Sequence, residues 1–302
     1  MARKNFENAW LLNIDFFLGN QYKVITSRGE LEEKEKRYDW EMREVFNHIA
    51  PIVETRLAKL SRVKPTFSVR PRGGDHTDVY SAKLAKALLV ALAEKADLSA
   101  ILSKATLWSE ICGTVFYKIL WNPASGDVLA RNECNEICAG DVDISICSPF
   151  EIFPDSSGAT TIEECTSIMH VRPYPAQWIR EHYGVQVLGT DIDTLSFENA
   201  QDASHAGMGN VPRISHTIKK DHVLVIEKYE KPSKEYPDGR FIMVAGDVLL
   251  EDTCLPFAVS ADGKRGFPFV KQVSNDCIGS FWGSSVVERC IPIQRAYNAV
   301  KN

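Results

Sequence analysis

The stretch "LSAILSKATLWSEICGTVFYKILWN", residues 98–122, changes its period at one glycine. Before Gly113, the apolar residues of "DVYSAKLAKALLVALAEKADLSAILSKATLWSEIC" (78–112) recur at three- and four-residue steps, the spacing of helices with an apolar face. Asp97 or Ser99 is placed to cap a second helical segment there. After Gly113, "TVFYKILWN" (114–122) is aromatic and β-branched, and the turn signal "PASGD" follows it, which predicts a strand. Helix on one side of a glycine and strand on the other make this an α+β chain.

Further strand-like runs follow at "VDISIC" (142–147), "SIMHV" (167–171), "HVLVIEKYE" (222–230), "RFIMVAG" (240–246) and "FPFVKQV" (267–273), with turns at "YPDGR" and "VAGD". Short strands joined by tight turns predict a mainly antiparallel sheet. Only "PAQWIREHYG" (175–184) reads as helix in this region, with Gly184 as its C-terminal cap. Residues 189–213 are polar and aperiodic, which predicts a long exposed, flexible loop. Toward the N-terminus, "ELEEKEKRYDWEMREVFNHIAPIVETRLAKLSR" (30–62) carries Tyr38, Met42, Val45, Ile49, Val53, Leu57 and Leu60 at helical steps. Pro51 is expected to start a new helix or kink this one. The last stretch, "GSFWGSSVVERCIPIQRAYNAVKN" (279–302), opens a helix capped by Ser284 or Ser285, with Val286, Cys290, Ile293, Tyr297 and Val300 as its apolar side, Pro292 inside it and no stop signal.

With 302 residues, 44% hydrophobic and 25% charged, the chain has enough apolar material for a real core. A net charge of -5 and a pI near 5.9 argue against a protein that coats nucleic acid. Asn13 and Asp15 interrupt the apolar run that a signal peptide needs, and no window approaches a bilayer span, so a cytoplasmic site of synthesis is expected. Eight cysteines diluted through such a chain are expected to be free thiols, with Cys112, Cys147 and Cys290 among apolar neighbours.

Catalytic patterns are missing. Cys134, Cys138, Cys147 and Cys165 are the only cysteine cluster, but their spacing is irregular and holds no C-x-x-C pair. The serines of "GSFWGSS" do not form G-x-S-x-G, the seven histidines form no H-E-x-x-H, and neither G-x-G-x-x-G nor a phosphate loop occurs. An enzyme is not expected, nor a cofactor or metal. The window "TRLAKLSRVKPTFSVRPR" (55–72) contains Arg56, Lys59, Arg62, Lys64, Arg70 and Arg72 and no acid. It reads either as a solvated helix end leading into a subunit contact, or as a phosphate-binding segment that would make the chain a nucleic-acid-binding module. Trp10, Phe16, Phe17 and Tyr22 near one end and Phe281 and Trp282 near the other are core residues by default, and docking aromatics in the alternative reading.

Taken in order, "FFLGNQY" (16–22), "IAPIVETRLAKLSRVKPTFSVRP" (49–71), "LWSEICGTVFYKILWNPASGD" (107–127), "GDVDISICSPFEIFPD" (140–155), "VIEKYEKPS" (225–233) and the closing "FWGSSVVERCIPIQRAYNAVKN" (281–302) resemble the blocks of a tailed-bacteriophage portal protein of the short-tailed-phage type. The resemblance implies a structural subunit of a dodecameric ring at one capsid vertex, without catalytic residues or cofactors. Such rings support procapsid assembly, form the channel for genome packaging and ejection, and attach the tail. The implied partners are other copies of the chain, the terminase large subunit, the head-to-tail adaptor, the major capsid or scaffolding protein, and double-stranded DNA in the channel. The implied location is the virion, after assembly in the host cytoplasm, with no membrane involved. Residues 1–112 then correspond to the helical part of a wing, 113–280 to its sheet part, and 281–302 to the start of a stem helix. The chain would end before the regions that bind the packaging motor. Candidate interface or channel residues are Arg56, Lys59, Arg62, Arg295 and Lys301.

Overall fold

The computed structural model of the chain describes residues 2–36, 38–63, 65–131, 136–155, 158–198, 213–257 and 265–302. It is an α+β fold with six helices, α1 (Ala2–Leu18), α2 (Ile49–Leu60), α3 (His76–Lys95), α4 (Leu98–Cys112), α5 (Ala176–Tyr183) and α6 (Val286–Lys301), among the described residues. The strands are β1 (Lys23–Ile25), β2 (Leu31–Glu33), β3 (Thr114–Asn122), β4 (Val128–Arg131), β5 (Glu136–Cys138), β6 (Asp141–Cys147), β7 (Ile152–Pro154), β8 (Ser167–Pro175), β9 (Thr190–Glu198), β10 (Arg213–Glu230), β11 (Arg240–Ala245), β12 (Val248–Thr253) and β13 (Phe269–Val273). Among the described residues, every pairing between these strands is antiparallel.

The switch at Gly113 falls where the sequence places it. Asp97 caps α4 by accepting a hydrogen bond from the Ala100 amide at 3.3 Å, and Gly113 ends it in the left-handed region at φ 88°. β3 then runs between β13 and β6, with Phe116 facing Cys147 and Lys118 facing Phe269 in register. The second sheet has the order β12-β11-β10-β8-β7, with β9 also paired to β10. The long β10 turns through an irregularity between Lys219 and His222, so its first half pairs with β9 and its second half with β8. α5 is capped by Gly184 at φ 68°, as its sequence predicts.

Two segments depart from the sequence reading. The helix expected over 30–62 exists only as α2; Leu31–Glu33 is a strand paired with β1, and residues 41–48 have no regular secondary structure. Pro51 lies in the first turn of α2, where its missing N–H is not required, and Asn47 Oδ1 accepts from the Ile49 and Ala50 amides at 3.1 and 3.2 Å. The loop expected over 189–213 is a strand over Thr190–Glu198. Its apolar phase is diluted by Asp191, Asp193, Thr194 and Ser196, and its conformation follows from hydrogen bonding to β10. Residues 199–212, together with Lys64 and Cys134, lie outside the described residues.

One hydrophobic cluster draws on α1, α2, α4, both larger sheets and α6. Of the terminal aromatics, Trp10, Phe16, Phe17, Phe281 and Trp282 belong to it, and Tyr22 lies half-buried outside it. Trp10 and Trp282 meet edge to face at 4.8 Å, Phe281 and Trp282 at 5.0 Å, and Phe116 and Trp282 at 5.9 Å. Phe16 and Phe17 are also buried, so core packing, not docking, accounts for these side chains. Each aromatic pair adds about 0.5–1.5 kcal/mol beyond the area it removes from water.

Candidate functional site

The junction that leads into α6 is built from two glycines in contact. A Cβ on Gly113 would collide with the backbone of Gly283, and one on Gly283 would come 2.6 Å from the Gly113 carbonyl oxygen. Gly283 donates its amide to Thr114 Oγ1 at 2.8 Å, and Ser274 donates its amide to the Gly113 carbonyl at 3.0 Å. Ser285, the buried N-cap of α6, accepts from the Val287 and Glu288 amides and donates to the Glu110 carbonyl at 2.9 Å. The start of α6 is therefore fixed by the end of α4.

α6 buries Val287, Ile291, Gln294 and Asn298. Of the five apolar residues named for it from sequence, Val286 and Cys290 are half-buried, with Cys290 packed against the core, while three face outward: Ile293 is 73% exposed, Val300 85% and Tyr297 38%. The inner face is a ladder of amides at four-residue steps. Gln294 Oε1 accepts from the His48 amide at 3.2 Å, Asn298 Oδ1 from Phe46 at 3.3 Å, and Asn302 Oδ1 from Glu44 at 3.1 Å. Gln294 and Asn302 donate back to the carbonyls of Phe46 and Glu44 at 2.7 and 2.9 Å. Four helical residues rise about 6.0 Å and two extended residues about 6.6 Å, so alternate backbone groups of 44–48 meet successive amides of α6. The ladder pairs the backbone of 44–48 with side chains of α6 in place of the hydrogen bonds a helix would make there.

α3 buries only Ala82 and exposes Tyr80, Leu84 and Leu88, three residues at four-residue steps. The helical region thus carries a pair of apolar surfaces, this row on α3 and the row of Ile293, Tyr297 and Val300 on α6, that stay open to solvent.

The residues proposed for interface or channel roles lie apart in character. Arg56 is committed to the chain, since its Nε donates to buried Glu110 at 2.6 Å, and Glu110 also accepts from Ser274 Oγ at 2.9 Å. Lys59, Arg62, Arg70 and Arg72 are exposed. Arg295 donates to the Lys23 carbonyl at 3.0 Å and lies over the Phe16 ring, and partial burial lowers its pKa. Lys301 is exposed, with its ammonium 5.8 Å from the Tyr297 ring.

Sequence reading missed a buried polar network between the two larger sheets. Lys118 of β3 donates to Glu227 of β10, which also accepts from the Tyr229 hydroxyl. His170 of β8, the register partner of Glu227, places Nδ1 3.3 Å from Lys118 Nζ and 3.6 Å from Glu227 Oε2. Its Nε2 lies 3.5 Å from Cys147 Sγ and 3.4 Å from Glu151 Oε2. Cys147 therefore sits against an imidazole, not among apolar neighbours alone. Of the four cysteines considered together, it is the only one in this cluster among the described residues. The signal was present in the alternation: Lys118, His170 and Glu227 are charged or polar residues in the inward phase of strands whose neighbours in that phase are Phe116, Ile168, Val225 and Tyr229.

Burial opposes charge on both Glu227 and His170, but their mutual contact and Lys118 outweigh it for Glu227, whose pKa falls from 4.5 to about 2. For His170, the contacts with Cys147, Glu151 and Glu227 outweigh burial and raise the pKa from 6.5 to about 10. The depressed carboxylate contributes stability above pH 4.5 that is lost as pH falls toward 2, and the raised imidazole contributes stability below pH 6.5 that is lost as pH rises toward 10. With a chelator present, thermal midpoints are therefore expected to be highest between pH 4.5 and 6.5 and to fall on both sides. A midpoint that keeps rising from pH 6.5 to 10 would overturn this assignment.

No family model matches the chain, and no curated protein matches it.

Proposed function

We propose that this chain is the N-terminal portion of a portal subunit, in which residues 1–280 form the wing and α6 starts the stem lining the DNA channel. The observation that carries this reading is the pair of uncovered apolar faces, Tyr80, Leu84 and Leu88 on α3 and Ile293, Tyr297 and Val300 on α6. Exposed apolar rows of this size are a liability in a monomer and an asset in an assembly. Two different faces on one subunit suit the head-to-tail contact that closes a ring. The ordered sequence blocks that resemble portal proteins agree with this geometry, as does the absence of a phosphate loop from the sequence. The proposed role is structural: a conduit for double-stranded DNA that works with the terminase large subunit, the head-to-tail adaptor and the capsid or scaffolding protein. A net charge of -5 favours passage over retention, because each fixed cation on a phosphate adds salt-dependent affinity.

Negative-stain imaging of the complete gene product under assembly conditions is expected to show rings with a central hole. Leu84→Glu with Leu88→Glu on α3, or Ile293→Glu on α6, is expected to abolish ring closure while leaving the circular dichroism of the subunit intact. A wild-type protein that stays strictly monomeric overturns the reading.

A further inference from the structure

We propose that Cys147, Glu151 and His170 form a zinc-binding site, with the thiolate sulfur, a carboxylate oxygen and Nε2 as ligands. The inference is independent of ring formation and rests on the geometry between the two larger sheets.

The three ligand atoms lie within 4.8 Å of one another, with Sγ to Nε2 at 3.5 Å and Nε2 to Oε2 at 3.4 Å. Zinc binds sulfur at about 2.3 Å and nitrogen or oxygen at about 2.0–2.1 Å, so tetrahedral angles put S and N roughly 3.5 Å apart and N and O roughly 3.3 Å apart. The observed separations are those of ligands around an ion. The 3.4 Å between Nε2 and Oε2 is long for a direct hydrogen bond, and Glu151 Oε2 is sealed from solvent and accepts none. The other oxygen, Oε1, is held by Ser148 Oγ at 2.9 Å, which orients the carboxylate so that Oε2 points at His170.

The ligands come from fixed elements. Cys147 ends β6 and Glu151 sits four residues later in the turn that leads to β7, while His170 is on β8, in register with Ile152 of β7. Behind the imidazole, Glu227 faces Nδ1, the arrangement of a carboxylate that orients a ligand histidine. The charges also balance. Lys118 neutralises Glu227, so a Cys147 thiolate, a Glu151 carboxylate and a neutral His170 leave two negative charges for a dication. Tyr174 and Tyr229 are neutral phenols held above their usual range by burial, and Arg172 approaches Glu151 beside the cleft. That cleft, of about 640 Å³, reaches Ser148 and Glu151. A thiol nucleophile with His170 as its base is a poorer reading of the same atoms, because Cys147 and His170 are both fully buried and no substrate reaches the sulfur.

The test is metal binding by the purified chain, stripped with chelator and given zinc or cobalt alone. About one zinc per chain is expected after removal of excess ion, and cobalt is expected to give a thiolate-to-metal charge-transfer band. Cys147→Ser should lose both, Glu151→Gln should weaken zinc binding at least about tenfold, and Cys165→Ser should change neither. If Cys147→Ser fails to fold cooperatively, the wild-type cobalt spectrum and Glu151→Gln decide the matter. A folded wild type without the thiolate band, unchanged affinity in Glu151→Gln, or loss of metal in Cys165→Ser each overturns the site.

Discussion

Lys118→Met is expected to destabilise the chain by about 3–5 kcal/mol and to lower the thermal midpoint by roughly 5–15 °C. The Lys118 side chain is 5% exposed and so is that of its partner Glu227, so removing the ammonium strands a carboxylate between two sheets without its cation. His170 cannot fully replace it, because its Nδ1 stands 3.6 Å from the carboxylate while its other nitrogen faces Cys147 and Glu151. The second half of the experiment is the double variant Lys118→Met with Glu227→Leu, which removes both charges at once. It is expected to be more stable than Lys118→Met alone, with a coupling of roughly 1–3 kcal/mol, since the largest cost lies in stranding one charge and not in losing the pair. Some loss remains, because the Tyr229 hydroxyl also gives up its acceptor. Chemical denaturation of the wild type, both single variants and the double variant measures this directly. Additive single effects would mean that the pair contributes nothing as a pair.

Asn298→Ala is expected to cost about 2–4 kcal/mol, large for a single amide near the end of a helix. Asn298 accepts from the Phe46 amide and from Gln294 Nε2 at 3.0 Å, and donates to Gln21 Oε1 at 2.7 Å, so truncation leaves several buried groups without partners. Gln21 in turn holds Asn47 Oδ1 at 3.0 Å, the same oxygen that caps α2. The loss should therefore spread from α6 to residues 44–48 and the start of α2. Hydrogen exchange is expected to show lost protection at the amides of Phe46 and His48, with protection in β3 and β8 unchanged. A variant within about 0.5 kcal/mol of wild type, with those amides still protected, would show that the ladder follows from the packing of α6 and does not create it.

The difference between these two sites shows how far the residue pattern could be read. β3, β6, β8 and β11 each carry their own β-branched and aromatic run between turn residues, and Gly113 and Gly184 end helices because a left-handed backbone suits glycine. Those features are local, so they are legible in a single chain. The charged residues of the polar network were visible only as breaks in phase, one per strand, and nothing in their spacing says that three strands bring them together. Cys147 and Glu151 are four residues apart, but His170 joins them only because β8 pairs with β7.

Residues 44–48 make the opposite point. Tyr38, Met42 and Val45 have the steps of an amphipathic helix, yet 44–48 is held extended where Gln294, Asn298 and Asn302, some 250 residues later, hydrogen-bond to the amides of His48, Phe46 and Glu44. The same contact decides which face of α6 turns inward, so amides are buried and Ile293, Tyr297 and Val300 are left outside. By itself the sequence determined the α+β class, the switch at Gly113, the Gly184 cap, a serine cap of α6 at 284 or 285, and six of the thirteen described strands (β3, β6, β8, the second half of β10, β11 and β13), since each depends on neighbours within a few residues. The tertiary structure alone decided the course of 44–48, the pairing of β9, the exposed faces of α3 and α6 and the meeting of Cys147, Glu151 and His170, since each depends on partners distant along the chain.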